Sequence, residues 1–332
     1  MYEAKFHTSD ISNSTFLITG GAGFIGSNLA EYLLKYGAAK VVVLDNLSTG
    51  FEENIKPFFN SGRQGGAFQF IKGDICDLNT CLKACEGVDY VFHEAALGSV
   101  PRSIQNPVPT NNVNVGGFVN MLTAAKDKKV KRFVYASSSS VYGDSKSLPK
   151  MEDSIGAPLS PYAVSKLTNE FYGKIFHKTY NMEVIGLRYF NVFGPRQNPK
   201  GEYAAAIPLF MDALLKEQSP YINGDGNQTR DFTFVENCVE ANIRAMFADS
   251  KNAAGDVYNV AVAERVSIND LIAIIKKLTN SKANAVHREE RPGDVRDSLA
   301  DISKANKFLG YDPKIKFEEG LKITLGWFRG SK

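Results

Sequence analysis

Residues 15–26, TFLITGGAGFIG, decide the fold. A short apolar run ends at Thr19, glycines stand at Gly20, Gly23 and Gly26, and a helix-period pattern begins at once. Without a Cβ, these three positions permit a tight strand-to-helix turn and let the backbone approach a pyrophosphate at the positive end of the helix. A glycine-rich turn alone can serve any tight connection; the strand before it and the helix after it supply the context of a dinucleotide site. Asp45 closes the next apolar run, KVVVLD, roughly 20 residues after Gly26, where a carboxylate accepts hydrogen bonds from an adenosine ribose. No basic residue follows it directly, since the chain continues NLSTG, so NAD is expected rather than NADP.

Outward from this turn, apolar runs alternate with helical patterns through residue 190: TFLITG, KVVVLD, FQFIKGD, DYVFHEAA, RFVYASS and EVIGLRYFN, with helices expected near 24–36, 77–86, 112–128 and 161–179. Strand and helix in alternation mean parallel strands joined by right-handed crossovers, and near-continuous apolar strands suit a sheet covered on both faces. The fold class expected is α/β, a doubly wound parallel sheet of Rossmann type with a smaller C-terminal α/β lobe. The segments are a leader over 1–14, a dinucleotide domain over 15–190 and a substrate lobe over 191–332, with chain returning to the first domain near 231–262. In the lobe, EYAAAIPLFMDALLKEQ and SINDLIAIIKKLT read as helices, and YINGDG, DFTFVEN and VYNVAV as strands and turns.

Composition narrows the function. The 332 residues carry a net charge of +3 and 23% charged residues, which gives no basis for nucleic-acid binding. No apolar run is long enough to span a bilayer, and the polar start MYEAKFHTSDISNST has no signal-peptide core, so the cytoplasm is the expected compartment. Cys76, Cys81, Cys85 and Cys238 match no zinc spacing and read as reduced structural thiols; no metal is expected.

Three Tyr-x-x-x-Lys pairs occur: Tyr36/Lys40, Tyr142/Lys146 and Tyr162/Lys166. Tyr36 and Lys40 straddle a helix end, and Tyr142 sits in the turn-like YGDSK. Only LSPYAVSK (159–166) places its pair inside a helix, with Ser160 a good N-cap and Pro161 suited to the first helical position. Residues four apart project from one face, so the Lys166 charge can lower the phenol's pKa and reach a bound ribose. Upstream, ASSSSVYG sets hydroxyls at the carboxyl end of the fifth strand, where ligands sit in open α/β sheets.

Taken in order, TGGAGFIG, SSSSVYG, SPYAVSK and LRYFNVFGP resemble an extended short-chain dehydrogenase/reductase, and more narrowly the UDP-sugar 4-epimerases of the galactose-epimerase type. AALGSVPRS, YINGDGNQTRDF and RPGDVRDSLADISKA are similar to the UDP-N-acetylglucosamine 4-epimerases of bacterial surface-polysaccharide pathways. By position, the resemblance implies Ser138, Tyr162 and Lys166 as the catalytic group. It implies NAD, tightly bound and regenerated each cycle, on Gly20, Gly23, Phe24, Ile25, Gly26, Asp45, Asn46, Ser48, Thr49, Gly50, Asp74, Ile75, Ala95, Ala96, Asn114, Tyr162, Lys166 and Tyr189. The nucleotide-sugar contacts implied are Ser99, Arg102, Ser138, Ser139, Asn191, Tyr221, Arg230, Arg291, Asp294 and Ser298, with Arg230 and Arg291 facing the diphosphate. A homodimer through a four-helix bundle is also implied, the helix carrying Tyr162 packing with NVGGFVNMLTAAKDKK across a twofold axis.

The activity implied is 4-epimerisation of a UDP-hexose by transient oxidation at carbon 4, rotation of the 4-keto sugar and hydride return. Related 4,6-dehydratases place an Asp-Glu or Ser-Glu pair before the VYG-type tyrosine as a further acid and base; Ser139 and Ser140 stand there instead, and neither hydroxyl is an adequate acid. Ser298 occupies a position where a bulky tyrosine confines relatives to unacetylated sugars, and a small side chain admits the acetamido group. UDP-glucuronate 4-epimerases are the nearest rival and usually carry threonine in place of Asn191. A non-catalytic NAD-binding protein is a further alternative, against which Ser138, Tyr162 and Lys166 all stand intact.

Overall fold

The computed structural model describes residues 1–59, 67–199, 205–289 and 296–330. Its first half is β1 (Thr15–Thr19), α1 (Phe24–Lys35), β2 (Lys40–Asp45), β3 (Phe68–Lys72), α2 (Leu78–Ala84), β4 (Tyr90–His93), α3 (Val100–Gln105), α4 (Pro107–Asn111), a π-helical stretch Asn112–Gly117, α5 (Phe118–Asp127), β5 (Arg132–Ser138), α6 (Pro161–Tyr180) and β6 (Glu183–Tyr189). The remainder runs β7 (Val192–Phe193), α7 (Ala206–Leu215), β8 (Tyr221–Asn223), β9 (Thr229–Arg230), β10 (Thr233–Phe234), α8 (Val235–Phe247), α9 (Ser250–Ala253), β11 (Val257–Val260), β12 (Val266–Ser267), α10 (Ile268–Thr279), β13 (Val286–Arg288), α11 (Ser303–Leu309) and α12 (Phe317–Gly330).

Seven strands pair in the order β11-β6-β5-β4-β1-β2-β3, all parallel. Strand order reverses between β1 and β4, and ligands bind at the carboxyl ends of strands at such a switch point. Both faces of the sheet are covered because successive strand residues point to opposite sides. Phe16, Ile18, Val43, Phe92 and Leu187 pack with Leu29, Leu33, Val239 and Met246 on one face. Leu17, Val42, Leu44, Val91 and Phe133 pack with Cys81, Phe118, Met121 and Leu122 on the other. A separate cluster built on Phe193, Phe234, Leu271, Ile275, Phe317 and Leu321 forms beyond β7.

Two features depart from the sequence reading. DFTFVEN was expected as strand and turn, but β10 ends at Phe234 and α8 starts at Val235. Ten of its side chains are buried, Asn237, Glu240 and Asn242 among them, so polar residue type does not mark an exposed face here. Residues 1–14 are also more than a polar leader: Tyr2, Phe6, His7 and Ile11 are buried. The Tyr2 hydroxyl donates to Asn28 Oδ1 at 2.7 Å, the Phe6 N–H donates to the Tyr32 hydroxyl at 2.7 Å, and Phe6 stacks on Tyr32 with centroids 5.2 Å apart.

Candidate active site

Gly20 leaves β1 with φ +68°, and a Cβ there would lie 2.7 Å from the Ala95 backbone nitrogen. At Gly26 a Cβ would lie 2.4 Å from the Gly20 carbonyl oxygen, so helix and turn can meet only through glycine. No side chain caps Gly23 and no acid stands in the first turn of α1, which leaves the positive end of the helix open to an anion. Asp45 closes β2; its carboxylate accepts N–H bonds from Ala22 at 3.0 Å and Leu47 at 2.8 Å. Burial raises its pKa, and those two bonds oppose the rise.

These groups border a cavity of about 500 Å³, the size range of small-molecule sites. Every residue expected to touch the cofactor lines it except Asn114. Asn114, in the π-helical stretch, is 1% exposed; its side chain accepts the Leu97 N–H at 2.8 Å and donates to Ser165 Oγ at 3.1 Å. It braces the cavity wall against α6 from behind.

The Ser160 hydroxyl caps α6 by accepting the Ala163 N–H at 3.1 Å, and Pro161 is the first helical residue. Tyr162 and Lys166 follow on one face, and both line the cavity. Lys166 Nζ lies 5.9 Å from the Tyr162 ring centroid and donates to the Ala136 carbonyl at 2.8 Å. Ser138 ends β5 and its hydroxyl accepts the Ser140 N–H at 3.1 Å. Burial lowers the Lys166 pKa to about 8, with Glu94 acting in the opposite sense. Burial raises the Tyr162 pKa; Ser138 pulls it down by hydrogen bonding and Glu94 adds to the rise. A lowered phenol was expected here, but burial outweighs the opposing hydrogen bond. The other two pairs go elsewhere: the Tyr36 hydroxyl donates to the Tyr2 carbonyl, and the Tyr142 hydroxyl donates to Asn259 Oδ1 in the core.

A second cavity, about 200 Å³, shares Ser138, Tyr162 and Asn191 with the first. Ser139, Arg230 and Ser298 line it as well, and Ser298 is buried. Asn191 adopts φ +37°, a conformation asparagine tolerates, and its amide donates to the Asp231 carbonyl at 3.0 Å. The Ser140 hydroxyl is buried beside this cavity with no hydrogen-bond partner among the described residues.

Other expected sugar contacts are not gathered here. Ser99 caps α3 by accepting the Arg102 N–H at 3.1 Å and lines neither cavity, while Arg102 lines the larger. Tyr221 is 51% exposed with the Arg288 guanidinium 3.2 Å from its ring centroid. Arg291 and Asp294 lie outside the described residues.

Three further residues escaped the sequence reading. Lys150 is buried at the smaller cavity and donates to the Ser145 carbonyl; nothing in LPKMED marks it. Glu94 lines the larger cavity and is pushed up to about 7 by burial, against hydrogen bonding from Tyr189 and the Lys166 charge. Glu170, one turn past Lys166, accepts from the Ser137 hydroxyl at 2.5 Å and from Arg188 at 2.9 and 2.8 Å. That buried ion pair ties α6 to β5 and β6. Among the described residues no cluster of His, Cys, Asp or Glu could hold a metal ion, and no helix is long and apolar enough to cross a membrane.

Comparison with known proteins bears on this geometry. The GDP-mannose 4,6-dehydratase family matches residues 17–324. A putative UDP-glucose 4-epimerase of Methanocaldococcus jannaschii is 38% identical over 95% of this chain and 98% of that relative. Among solved structures, a UDP-N-acetylglucosamine 4-epimerase from Methanobrevibacter ruminantium, in complex with UDP-N-acetylmuramic acid, is 39% identical with a TM-score of 0.88, covering 97% of this chain and 100% of that one. The UDP-glucuronic acid 4-epimerase of Bacillus cereus, in complex with UDP-glucuronic acid and NAD, is 34% identical with a TM-score of 0.86 over 96% and 100%.

Proposed function

The chain belongs to the GDP-mannose 4,6-dehydratase family of extended short-chain dehydrogenase/reductases, and from that premise we propose an NAD-dependent UDP-sugar 4-epimerase that interconverts UDP-N-acetylglucosamine and UDP-N-acetylgalactosamine. The observation that carries the reading is the overlap of the two cavities on Ser138, Tyr162 and Asn191. One cavity takes the dinucleotide, the other the sugar, and the proton-handling groups stand between them.

The glycine turn and the open end of α1 fit a pyrophosphate, and Asp45 fits the adenosine ribose. NAD held by these groups would supply a hydride acceptor and donor for carbon 4 of the sugar. Tyr162 takes the proton of the 4-hydroxyl, Ser138 hydrogen-bonds the same oxygen, and Lys166 holds positive charge beside the phenol. Arg230 meets the diphosphate. Ser298 leaves room for the acetamido group. Dehydration would need a second acid at the sugar, and the lining of the smaller cavity includes no carboxylate, only the Ser139 and Ser140 hydroxyls at that position.

The active form is a homodimer. Val164, Phe171 and Ile175 make an exposed apolar stripe on α6, with Ile104 and Val108 exposed on α3 and α4. A stripe at this spacing fits a second copy of the same helix in a bundle.

Incubation of the purified protein with UDP-N-acetylglucosamine, UDP-glucose and UDP-glucuronate, without added cofactor, tests the activity. The N-acetyl epimer pair is expected. A 4-keto-6-deoxy product would point to dehydration, and no product from any of the three would remove the enzyme reading.

A further inference from the structure

Glu94 stands one residue beyond β4, on the wall of the larger cavity, and the mechanism above gives it no task. Sheet register brings it close to the catalytic pair. His93 pairs with Tyr135 across β4 and β5, so Glu94 runs alongside Ala136, whose carbonyl accepts the Lys166 ammonium. Its carboxyl is aimed from the opposite side: the Tyr189 hydroxyl donates to Glu94 Oε1 at 2.8 Å, and the Asn242 amide of α8 donates to that hydroxyl at 2.8 Å. A phenol that accepts from an amide and donates to a carboxyl oxygen favours the ionised acid.

The titratable groups facing Glu94 are Lys166 and Tyr162 from α6, Tyr189 from β6 and Cys238 from α8. His93, its neighbour on the strand, is held neutral, burial bringing it down to about 3. Burial also raises the Tyr189 and Cys238 pKa values, so neither carries charge near neutral pH. Of these groups, Lys166 is the cation.

We infer that Glu94 is a positioning residue for the catalytic pair: its carboxylate, aimed by Tyr189 and Asn242, keeps the Lys166 ammonium charged in the desolvated wall of the cavity. Lys166 loses solvation by its burial, and an anion across the strand restores part of what water supplied. The inference rests on the epimerase reading only for its effect on turnover.

The test titrates Lys166 directly, in NAD-saturated protein without sugar, by carbon-13 NMR of ε-labelled lysine. Its resonance is identified by its loss in Lys166→Met. In Glu94→Gln the Lys166 midpoint falls by about one pH unit, and the alkaline limb of the kcat profile moves down with it. Glu94→Asp keeps the charge and stays near the wild-type midpoint. Tyr189→Phe, which releases the carboxylate from its aim, falls part of the way and decides the matter should Glu94→Gln not fold. An unchanged or higher midpoint in Glu94→Gln and Tyr189→Phe, or a Glu94→Asp midpoint as low as that of Glu94→Gln, overturns the inference. The lysine resonance titrates whether or not the protein turns over a sugar, so a failure here is separable from a failure of the epimerase reading.

Discussion

In the proposed mechanism Tyr162 carries the chemistry, and its surroundings pull in two directions. Burial and the nearby Glu94 hold the proton on the phenol, while the Ser138 hydroxyl draws it off. Replacing Tyr162 with Phe removes the base and leaves ring and helix in place, so kcat should fall roughly 10²–10⁴-fold with unchanged thermal unfolding. Steady-state kinetics and a melting curve on the same preparation check both halves; near-normal kcat would refute the base. This residue was legible because Ser160 and Pro161 mark a helix start that the other two Tyr-Lys pairs lack. Glu94 and Lys150 were not. A carboxylate after an apolar strand and a lysine in a polar loop acquire meaning only when the sheet register and the Lys150 backbone pairing with Leu299 and Asp301 bring them to the cavities.

At the scale of elements, the chain's start is the part least visible in the sequence. The Met1–Ser14 segment has no regular structure, yet His7 is 6% exposed, its Nδ1 lies 2.8 Å from the Tyr32 hydroxyl, and its Nε2 is buried with no partner among the described residues. Burial lowers its pKa to about 4, with Lys5 contributing. The unfolded chain therefore takes up a proton below pH 6.5 that the folded protein refuses until about pH 4. Stability relative to a His7→Phe variant should fall as pH drops through that window, by an amount of the order of 2 kcal/mol at its acid end. Urea unfolding of both proteins at several pH values reads it; parallel stability curves would show that His7 is not held neutral. The same burial explains why α8 went unread. In α8 the polar Asn237, Glu240 and Asn242 are buried with the apolar residues, so residue type does not separate an inner from an outer face, whereas α6 and α10 keep exposed faces and were plain from pattern. The glycine turn and the alternation of β1 through β6 were legible for the converse reason, since local sterics and two-faced burial leave direct marks on residue type.

Across the whole molecule, the apolar stripe on α6 and residues lining both cavities sit on one element, so in the proposed dimer assembly and catalysis would share a scaffold. Sedimentation should give twice the chain mass for the wild type, and the double substitution Phe171→Glu with Ile175→Glu should give the single-chain mass; a wild type sedimenting as one chain would contradict the dimer. The lobe beyond β7 adds its own core, and β7 pairs with β10, so Asn191, Arg230 and Ser298 reach a cavity whose floor belongs to β5 and α6. That convergence makes one measurement decisive. The protein, with no nucleotide added, is incubated in ordinary water with UDP-N-acetylglucosamine deuterated at carbon 4, and the product is examined by mass spectrometry and NMR. An epimer that retains the deuterium at carbon 4 is predicted, because the hydrogen leaves and returns as hydride within the site. Epimer with solvent hydrogen at carbon 4, or unaltered sugar, would contradict the account.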